Sequence, residues 1–382
     1  MLRVLTLSTL FPDAGRPSFG VFVERQTLGL ATLAAVEVVS GVGRPLWPLS
    51  LHPHYAARAA LPERERWKGM SVHLPRFRVL PRLGEAKAAQ ALARAALPLV
   101  REIAPEVIDA EFFWPDGVAA MHLARATGIP FSIKARGSDI HYWGVRPKVL
   151  RQMVEASHEA GGLLAVSEAL KRDMAALGMP EDKIRVHYTG VDLDGFRPLD
   201  RAVGKGALDV EGPLIVCAGA LIPLKGQTLA IAALREIPGA TLLLVGDGPE
   251  RAALEAQAAA LGPRVRFLGS RPHGELPSLL GAADLMVLPS EREGLANVWV
   301  EALACGTPIL ITDVGGAREV LDRPEAGRIV ARDAGAIAAA ARAMLAEPPA
   351  QDAVRRAAER FSWERNAAEL LDHLSRISAK RH

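Results

Sequence analysis

The chain is poor in cysteine, in long apolar runs and in excess charge of either sign, and each shortage excludes a class of protein. Its two cysteines, Cys217 and Cys305, are too few for a disulfide scaffold and too far apart for a zinc motif. No apolar run reaches the roughly 18 residues that a membrane-spanning helix needs. The 46 basic and 43 acidic residues nearly cancel, so the charge does not predict a nucleic-acid partner.

The N-terminus also lacks the features of a secretion signal. Residues 1–8 are apolar, but they have neither a basic lead-in nor a small-residue cleavage site, so they predict a first strand. Cys217 and Cys305 both lie in apolar surroundings, which is typical of buried, reduced thiols. We therefore expect a cytoplasmic protein, located either free in the cytoplasm or at the inner face of a membrane.

The length and the pattern of apolar segments predict two α/β domains. A chain of 382 residues is too long for one ordinary α/β core. Short apolar strands alternate with helical segments in two successive series, and a charged, glycine-dotted stretch at 199–212 separates them. This arrangement predicts two doubly wound, parallel-sheet domains joined by a linker.

Residues 284–308 are the most informative stretch. The apolar run Asp284–Leu288 predicts a buried strand, and an acidic loop and a helix follow it. The loop thus lies at the carboxyl end of a parallel strand, where open α/β sheets bind ligands. Glu293 in the loop can accept hydroxyl protons, while free N–H groups of the helix N-terminus can bind an anion. From spacing alone, a helix-stabilising role for Glu293 and a solvated role for Glu301 stay equally open.

Two further loops of the second series also follow predicted strands. Lys225 follows the strand at 214–219 and precedes a helix, so it can reach a phosphate held over the helix N-terminus. A solvated loop lysine is the common alternative. Gly246 opens a strand-to-helix turn that we expect to line the same cleft, with Asp247 acting either as a helix cap or as a ligand contact.

The first series contains two candidate loops. Gly20, after the first strand, lets the backbone approach a ligand closely, but a Gly-x-Gly-x-x-Gly fingerprint is missing, which disfavours a dinucleotide oxidoreductase. Arg136-Gly137-Ser138-Asp139 ends another predicted strand. Arg136 cannot accept a proton, but it can bind a diphosphate in bidentate fashion. Asp139 is either part of that site or a cap on the following turn.

Several of these motifs together resemble one known family. The segment Glu293-Gly-Leu-Ala-Asn-Val-Trp-Val-Glu301 resembles the Glu-x7-Glu signature of family 4 retaining glycosyltransferases, and Lys225-Gly226 and residues 136–139 match further motifs. The resemblance implies a GT-B fold, with two Rossmann-like domains facing a cleft. It implies an acceptor-side domain at 1–198, a donor-binding domain at 213–362 and a C-terminal helix at 363–382 that crosses back to the first domain.

The resemblance also implies an activity and a set of site residues. The implied enzyme is a metal-independent, retaining hexosyltransferase that moves a sugar from a UDP- or GDP-type nucleotide sugar to an acceptor hydroxyl, in polysaccharide or glycolipid synthesis. No cofactor and no metal are expected. The catalytic candidates are Lys225, Glu293, Arg136 and Asp139. The donor-binding candidates are Gly20, Lys225, Gly246, Phe267, Leu268, Glu293, Leu295, Ala296, Asn297 and Glu301.

The chain departs from the family pattern at two positions. The family's second phosphate-binding cation is replaced by Ala220, and its strand-end histidine is replaced by Arg136. Loss of a cation should weaken diphosphate binding unless another replaces it. We predict that Arg136 supplies that charge.

The expected partners are a nucleotide sugar and a carbohydrate or lipid-linked acceptor, with no nucleic acid; peripheral contact with a membrane is left open. Other functions remain to be weighed. A nucleotide-sugar epimerase or a non-catalytic nucleotide-sugar binder would share this fold. A phosphorylase would require a lysine bound to pyridoxal phosphate, which its absorbance would reveal.

Overall fold

The computed structural model describes residues 1–17, 19–45, 58, 60–79 and 85–380. Contacts divide the chain into two compact units, which we call unit 1 and unit 2. Unit 1 comprises Met1–Gly190 together with Trp363–His382, and unit 2 comprises Val191–Ser362.

The strands are short, and those at the centre of each sheet are buried along their whole length, as parallel strands covered on both faces should be. Unit 1 contains β1 (Arg3–Leu7), β2 (Ala35–Val39), β3 (Val42–Pro45), β4 (Arg64–Trp67), β5 (Met70–His73), β6 (Arg76–Val79), β7 (Val107–Ala110), β8 (Phe131–Ala135), β9 (Gly162–Ala165) and β10 (Ile184–Val186). Unit 2 contains β11 (Leu214–Ala218), β12 (Thr241–Val245), β13 (Val265–Gly269), β14 (Leu285–Leu288), β15 (Ile309–Thr312) and β16 (Gly327–Val330).

Helices connect most of these strands, because a parallel pair needs a crossover connection. In the first part of the chain they are α1 (Val21–Ala31), α2 (Ala88–Ile103), α3 (Val118–Thr127), α4 (Pro147–Glu159) and α5 (Glu168–Ala176). They continue with α6 (Arg201–Gly206), α7 (Gln227–Leu234), α8 (Arg251–Ala258), α9 (Leu276–Ala282), α10 (Asn297–Ala304), α11 (Ala317–Val320), α12 (Ala334–Ala346), α13 (Gln351–Arg355) and α14 (Trp363–Ala379). Among the described residues, no helix is long and apolar enough to cross a membrane.

Each unit is built on its own sheet. The sheet of unit 1 has the order β10-β9-β8-β7-β1-β2-β5-β4, and its pairs are parallel except for the antiparallel edge pair β4–β5. The sheet of unit 2 has the order β13-β12-β11-β14-β15-β16 and is parallel throughout. In both sheets the chain starts near the centre and winds outward in both directions, so the carboxyl ends of the central strands meet at one edge.

The last helix belongs to the core of unit 1. Leu370, Leu374 and Ile377 of α14 are buried against Val4 of β1 and Val107 of β7, in a cluster that also contains Leu30, Ala34 and Leu164. Burying a leucine or isoleucine side chain contributes about 1.5–3 kcal/mol. The far end of the chain therefore stabilises the first sheet.

Two segments differ from the sequence-based expectation. From the sequence, residues 71–77 are expected to form one strand, but Pro75 interrupts it. The first half forms β5 of the eight-stranded sheet, and the second half begins β6, which pairs with β3 in a separate two-stranded sheet. The stretch 199–212, predicted as a linker, contains α6. Asp200 begins this helix, since its Oδ1 accepts hydrogen bonds from the backbone N–H of Ala202 at 2.9 Å and of Val203 at 3.2 Å.

Candidate active site

In unit 2, Lys225 and Glu293 meet at the carboxyl ends of two adjacent strands. β11 leads into the loop that carries Lys225, and its parallel partner β14 leads into the loop that carries Glu293. The Nζ of Lys225 donates to Oε1 of Glu293 at 2.5 Å, and the Oγ of Ser290 donates to the same oxygen at 2.7 Å. The side chains of Lys225 and Glu293 are 22% and 11% exposed, so the pair is shielded from water but can still be reached.

Glycines let the loops around this pair pack backbone against backbone. Gly246 has a φ of 136°, and Gly315 has a φ of 51°. A Cβ on Gly246 would lie 2.1 Å from the carbonyl oxygen of Gly219, and one on Gly315 would lie 2.3 Å from that of Glu293. Any other residue would push these loops apart. The predicted contact between Gly246 and the donor stays a prediction. The close packing of the loops by itself accounts for a glycine at position 246.

The N-terminus of α10 begins four residues after Glu293. Ala296 precedes the helix in an extended conformation, and no side chain caps the helix there. The N-terminal end of a helix carries a partial positive charge and N–H groups without helical partners. Leu295 and Ala296 are buried, and Asn297 is half-buried, so the first turn lies close to the surface but packs against the unit. Residues 295–297 thus provide backbone donors beside the Lys225–Glu293 pair.

Glu301, on the same helix, has a partner that the sequence analysis missed. His273 Nε2 lies 2.8 Å from Oε1 of Glu301, and the imidazole ring packs against Phe196 with 5.2 Å between ring centroids. Glu301 is 9% exposed. The sequence signal for His273 was weak: a histidine shortly after β13, which by itself is typical of any surface turn.

The end of β13 contains the residues predicted to lie beside the nucleotide base. Phe267 and Leu268 are both half-buried. The guanidinium carbon of Arg251 lies 6.0 Å from the centroid of the Phe267 ring. Ala220, where the family pattern has a cation, is exposed, and its carbonyl oxygen accepts a hydrogen bond from Gln227 Nε2 at 2.9 Å.

In unit 1, the Asp139 carboxylate is fully occupied by the backbone. Its Oδ1 accepts the N–H groups of Arg136, Gly137 and Ile140 at 3.0, 2.9 and 3.1 Å, and its Oδ2 accepts that of Phe113 at 3.0 Å. The residue is 0% exposed. Burial raises the pKa of Asp139, and these four hydrogen bonds oppose that rise. The geometry therefore gives Asp139 the loop-capping role that the sequence left open, and its predicted catalytic role stays a prediction.

Arg136 forms an ion pair with a buried carboxylate. Its Nη2 donates to Oε2 of Glu111, and the two side chains are 5% and 0% exposed. The guanidinium carbon also lies 5.0 Å from the centroid of the Phe22 ring. Within the described part of the chain, Nε and Nη1 of Arg136 have no hydrogen-bond partner. The prediction that Arg136 compensates for Ala220 stays a prediction. Because Glu111 already neutralises Arg136, the donor diphosphate would have to share this cation with Glu111.

The Arg136–Glu111 pair belongs to a buried polar network that sequence reasoning missed. Gln26 of α1 donates to Glu111, and Lys134 donates to Oε1 of Gln26 at 2.6 Å. Lys134 Nζ also lies 2.8 Å from Nδ1 of His187. The available signal was a set of polar residues at alternate positions of β7 and β8, strands that are otherwise apolar.

Burial and mutual charge shift the pKa values in this network in opposite directions. Burial, with the neighbouring charge of Glu111, raises the pKa of Asp109 well above its usual value. Burial and the charge of Arg136 lower the pKa of Lys134 well below its usual value, and burial also lowers that of His187. For Glu111 burial acts to raise the pKa, but Arg136 and Lys134 outweigh it and lower it. The network therefore keeps the carboxylate of Glu111 charged, and Glu111 is the residue that binds Arg136.

The first loop of unit 1 is fixed by local contacts. Gly20 has a φ of 65°, and a Cβ there would lie 1.6 Å from the carbonyl oxygen of Leu10, so packing alone requires glycine. Asp116 Oδ2 accepts the Thr9 N–H at 2.9 Å and the Thr9 hydroxyl at 3.2 Å. Burial raises the pKa of Asp116 to about 8. The predicted contact between Gly20 and the donor stays a prediction.

The sequence contains one Asp-x-Asp, the motif that metal-dependent transferases use, at Asp192-Leu193-Asp194. The expected metal independence therefore cannot rest on the absence of this motif, and it stays a prediction. In the structure, Oδ1 of Asp192 accepts the backbone N–H of Gly195 at 2.9 Å, as in an Asx turn. Across the residues that the structure describes, no group of three or more His, Cys, Asp or Glu side chains is arranged to hold a metal ion.

Known proteins with similar sequences and folds agree with this architecture. TuaC of Bacillus subtilis (strain 168), described as a putative teichuronic acid biosynthesis glycosyltransferase, is 29% identical over 353 residues, which are 89% of this chain and 88% of that protein. Sucrose-phosphate synthase from Thermosynechococcus elongatus superposes with a TM-score of 0.82 at 21% identity, covering 100% of both chains. HepE from Anabaena, crystallised with UDP, superposes with a TM-score of 0.76 at 22% identity, covering 98% of this chain and 100% of that one.

These structural neighbours confirm the predicted fold class, an α/β protein with two Rossmann-like parallel-sheet domains of the GT-B class. The sequence model described as glycosyl transferases group 1 matches residues 200–361. The model described as glycosyltransferase family 4 matches residues 49–194. The two matches lie side by side along most of the chain, which therefore belongs to the group 1 glycosyltransferases of family 4 type.

Proposed function

We propose that this glycosyltransferase moves a sugar from a nucleotide diphosphate sugar to an acceptor hydroxyl with retention of configuration, in the synthesis of a polysaccharide or glycolipid. The observation that carries the proposal is the cluster of Lys225, Glu293 and Ser290 beside the N-terminus of α10. The cluster combines a cation and free backbone donors for a diphosphate with a carboxylate for sugar hydroxyls. The UDP bound to HepE and the description of TuaC as a putative teichuronic acid biosynthesis glycosyltransferase support the donor and product classes.

In the proposed reaction, Lys225 keeps its bond to Glu293 and gains the diphosphate as a further partner when the donor binds. An ammonium group has three N–H donors, and one of them is bonded to Glu293. The others donate to oxygens of the diphosphate. As the bond between sugar and phosphate breaks, negative charge grows on the leaving diphosphate, and Lys225 and the positive end of α10 stabilise it.

Glu293 binds the hydroxyl groups of the transferred sugar. Its Oε1 is already bonded to Lys225 and Ser290, and its Oε2 accepts a hydrogen bond from a sugar hydroxyl. Hydrogen bonds to a charged acceptor contribute about 1.5–3 kcal/mol each, enough to fix the sugar's orientation. Glu301 accepts the ribose hydroxyls of the nucleotide, with His273 holding the carboxylate in place.

Retention is proposed through attack on the same face as the leaving group. The acceptor hydroxyl forms a bond to the anomeric carbon while the bond to the diphosphate breaks, and a diphosphate oxygen takes the hydroxyl proton. The proposal requires no cofactor and no metal. Product analysis by NMR tests retention, since an inverted linkage would contradict it, and a chelator that abolishes transfer would contradict metal independence.

The decisive experiment is a calorimetric screen of the protein against UDP, GDP, ADP and TDP, followed by their common sugar conjugates. We expect UDP or GDP to bind, and Lys225→Ala and Glu301→Ala to weaken that binding by at least about tenfold, the equivalent of one lost charged hydrogen bond. The absence of binding by any nucleotide would overturn the proposal.

The transferase and its two alternatives, an epimerase and a non-catalytic binder, differ in what becomes of the donor. An epimerase would convert the free nucleotide sugar into its isomer without an acceptor. A non-catalytic binder would bind the donor but show neither transfer nor slow donor hydrolysis. Incubation with the donor that binds, with and without acceptor, separates all three outcomes.

A further inference from the structure

One segment of unit 1 exposes large apolar side chains. Residues 141–148, which we call the tip, connect β8 to the start of α4 at the carboxyl edge of the sheet. Tyr142 is 57% exposed and Val145 is 73% exposed, far above the other apolar residues of this loop. Single exposed apolar residues are common on protein surfaces, but here two large ones lie on one short loop and form a small apolar patch. Contiguous apolar patches are typical of surfaces that contact a partner.

Contacts with neighbouring side chains fix the position of the tip within unit 1. The guanidinium carbon of Arg146 lies 4.5 Å from the ring centroid of Tyr142 and 4.4 Å from that of Trp143. Arg146 Nη2 donates to the Tyr142 hydroxyl at 2.7 Å. The ring of Trp143 in turn packs 6.2 Å from that of Trp114, which is 2% exposed. The core of unit 1 thus positions the exposed residues of the tip.

The chain segment that contains the tip is basic, and one acidic side chain from a neighbouring helix lies against it: Oδ2 of Asp173 is 2.9 Å from Nε2 of His141. Residues 140–154 contain no acidic residue, but they contain Arg146, Lys148 and Arg151. Lys148 and Arg151 are both exposed on the first turns of α4. A cluster of cations beside an exposed aliphatic and aromatic surface complements a partner that is both anionic and apolar.

These features fit a lipid bilayer better than a soluble glycan. A glycan would stack on aromatic faces, but here Arg146 lies over the rings of Tyr142 and Trp143, and a sugar gains little from Val145. At a bilayer surface, tyrosine and tryptophan lie at the level of the headgroups, an aliphatic side chain enters the acyl region, and cations bind anionic headgroups.

We propose that the tip docks unit 1 onto an anionic membrane surface. This inference deepens the proposed function and rests on it in one respect: it makes the acceptor one that a membrane presents. The tip begins five residues after Arg136, at the sheet edge where the candidate residues of unit 1 lie.

The test is co-sedimentation of the full-length protein with vesicles, without donor. Vesicles of phosphatidylglycerol and phosphatidylcholine in roughly equal parts are compared with pure phosphatidylcholine. We expect binding to the anionic vesicles only. Each basic residue near such a surface contributes about fivefold, so Lys148→Gln combined with Arg151→Gln should weaken binding on the order of 25-fold. Val145→Ser should weaken it by about three- to tenfold.

Matched controls come from unit 2. Val203 is 70% exposed, so Val203→Ser makes the same chemical change at equal exposure. Arg235→Gln combined with Arg328→Gln removes two exposed cations elsewhere on the surface. These variants should bind vesicles like the wild type. No binding to anionic vesicles would overturn the inference, and so would equal losses in tip and control variants. A wild-type protein that proves dimeric in solution and becomes monomeric on Val145→Ser would also overturn it, because a second copy would then cover the tip.

The readout also separates this inference from the proposed function. UDP and GDP binding is measured on the same variants, and the tip variants should keep the wild-type affinity. A protein that binds anionic vesicles through the tip but binds no nucleotide would support the membrane contact and overturn the donor chemistry. A protein that binds nucleotide but no vesicles would support the donor chemistry and overturn the membrane contact.

Discussion

Two lysine–carboxylate pairs lie at opposite ends of β14 and provide a controlled test of the candidate site. Lys225 and Glu293 pair at 2.5 Å beyond its carboxyl end, with side chains 22% and 11% exposed. Lys205 and Asp284 pair at 2.6 Å at its amino end, with side chains 19% and 17% exposed. The two pairs match in chemistry, distance and burial. They differ in which edge of the sheet they occupy, and ligands bind at the carboxyl edge.

Lys225→Met and Lys205→Met should therefore cost similar stability. Each leaves a largely buried carboxylate without its cation, a loss between that of an exposed pair and that of a fully buried one, about 1–3 kcal/mol. For a unit of this size, each kcal/mol lowers the Tm by about 2–4 °C. Differential scanning fluorimetry and urea denaturation of both variants should give losses that agree within about 1 kcal/mol.

Donor binding and transfer should separate the two variants. Lys225→Met removes a cation from the diphosphate, so its nucleotide affinity should fall roughly ten- to hundredfold and its kcat by about 10²- to 10³-fold. Lys205→Met should bind and transfer like the wild type. Lys225→Arg keeps the charge and should recover part of the affinity.

Either of two results would refute this reasoning. If Lys205→Met lost as much nucleotide affinity as Lys225→Met, the effect would follow from destabilised packing around β14. If Lys225→Met bound nucleotide as tightly as the wild type, Lys225 would serve only its ion pair with Glu293. Calorimetry with UDP and GDP, well below the Tm of both variants, decides between these outcomes.

Two further predictions concern unit 1. Glu111→Gln should lower the free energy of unfolding by about 3–5 kcal/mol, because it leaves the guanidinium of Arg136 buried without its carboxylate. Glu102→Gln, which removes an exposed partner of Arg64, is the matched control; urea denaturation should detect little change for it, and equal losses would contradict the argument. Asp116 has a pKa raised to about 8, so the stability it contributes is full below its unfolded pKa of about 4 and is lost as the pH rises towards 8. Asp116→Asn removes that loss, so its stability relative to the wild type should rise with pH over this window, and a difference independent of pH would contradict the raised pKa.

Local sequence patterns were enough for the architecture. Apolar runs such as 214–219 and 284–288 predicted buried strands, and the structure contains β11 and β14 there. The pattern failed where a single residue changed the outcome: Pro75 splits one predicted strand, and Asp200 begins a helix in the predicted linker. Both signals were present in the sequence: a proline inside a strand pattern, and an aspartate that can cap a helix within a charged, glycine-dotted stretch.

The sequence by itself determined which loops follow which strands, and so which residues can lie at the ligand-binding edge of a sheet. It placed Lys225 and Glu293 in such loops because strand direction and periodicity are local properties. Their direct pairing, across 68 residues, was decided only by the parallel pairing of β11 and β14.

Only the tertiary structure decided what each charged group does. Asp139 and Arg136 are three residues apart, but the carboxylate of Asp139 caps its own loop, while the guanidinium of Arg136 binds Glu111, which directly follows the neighbouring strand β7. The tip residues Tyr142 and Val145 look like core residues in the sequence, yet they are exposed. Burial and partner choice arise from segments distant in the chain, and a charge responds to whichever group packing brings within a few ångströms of it.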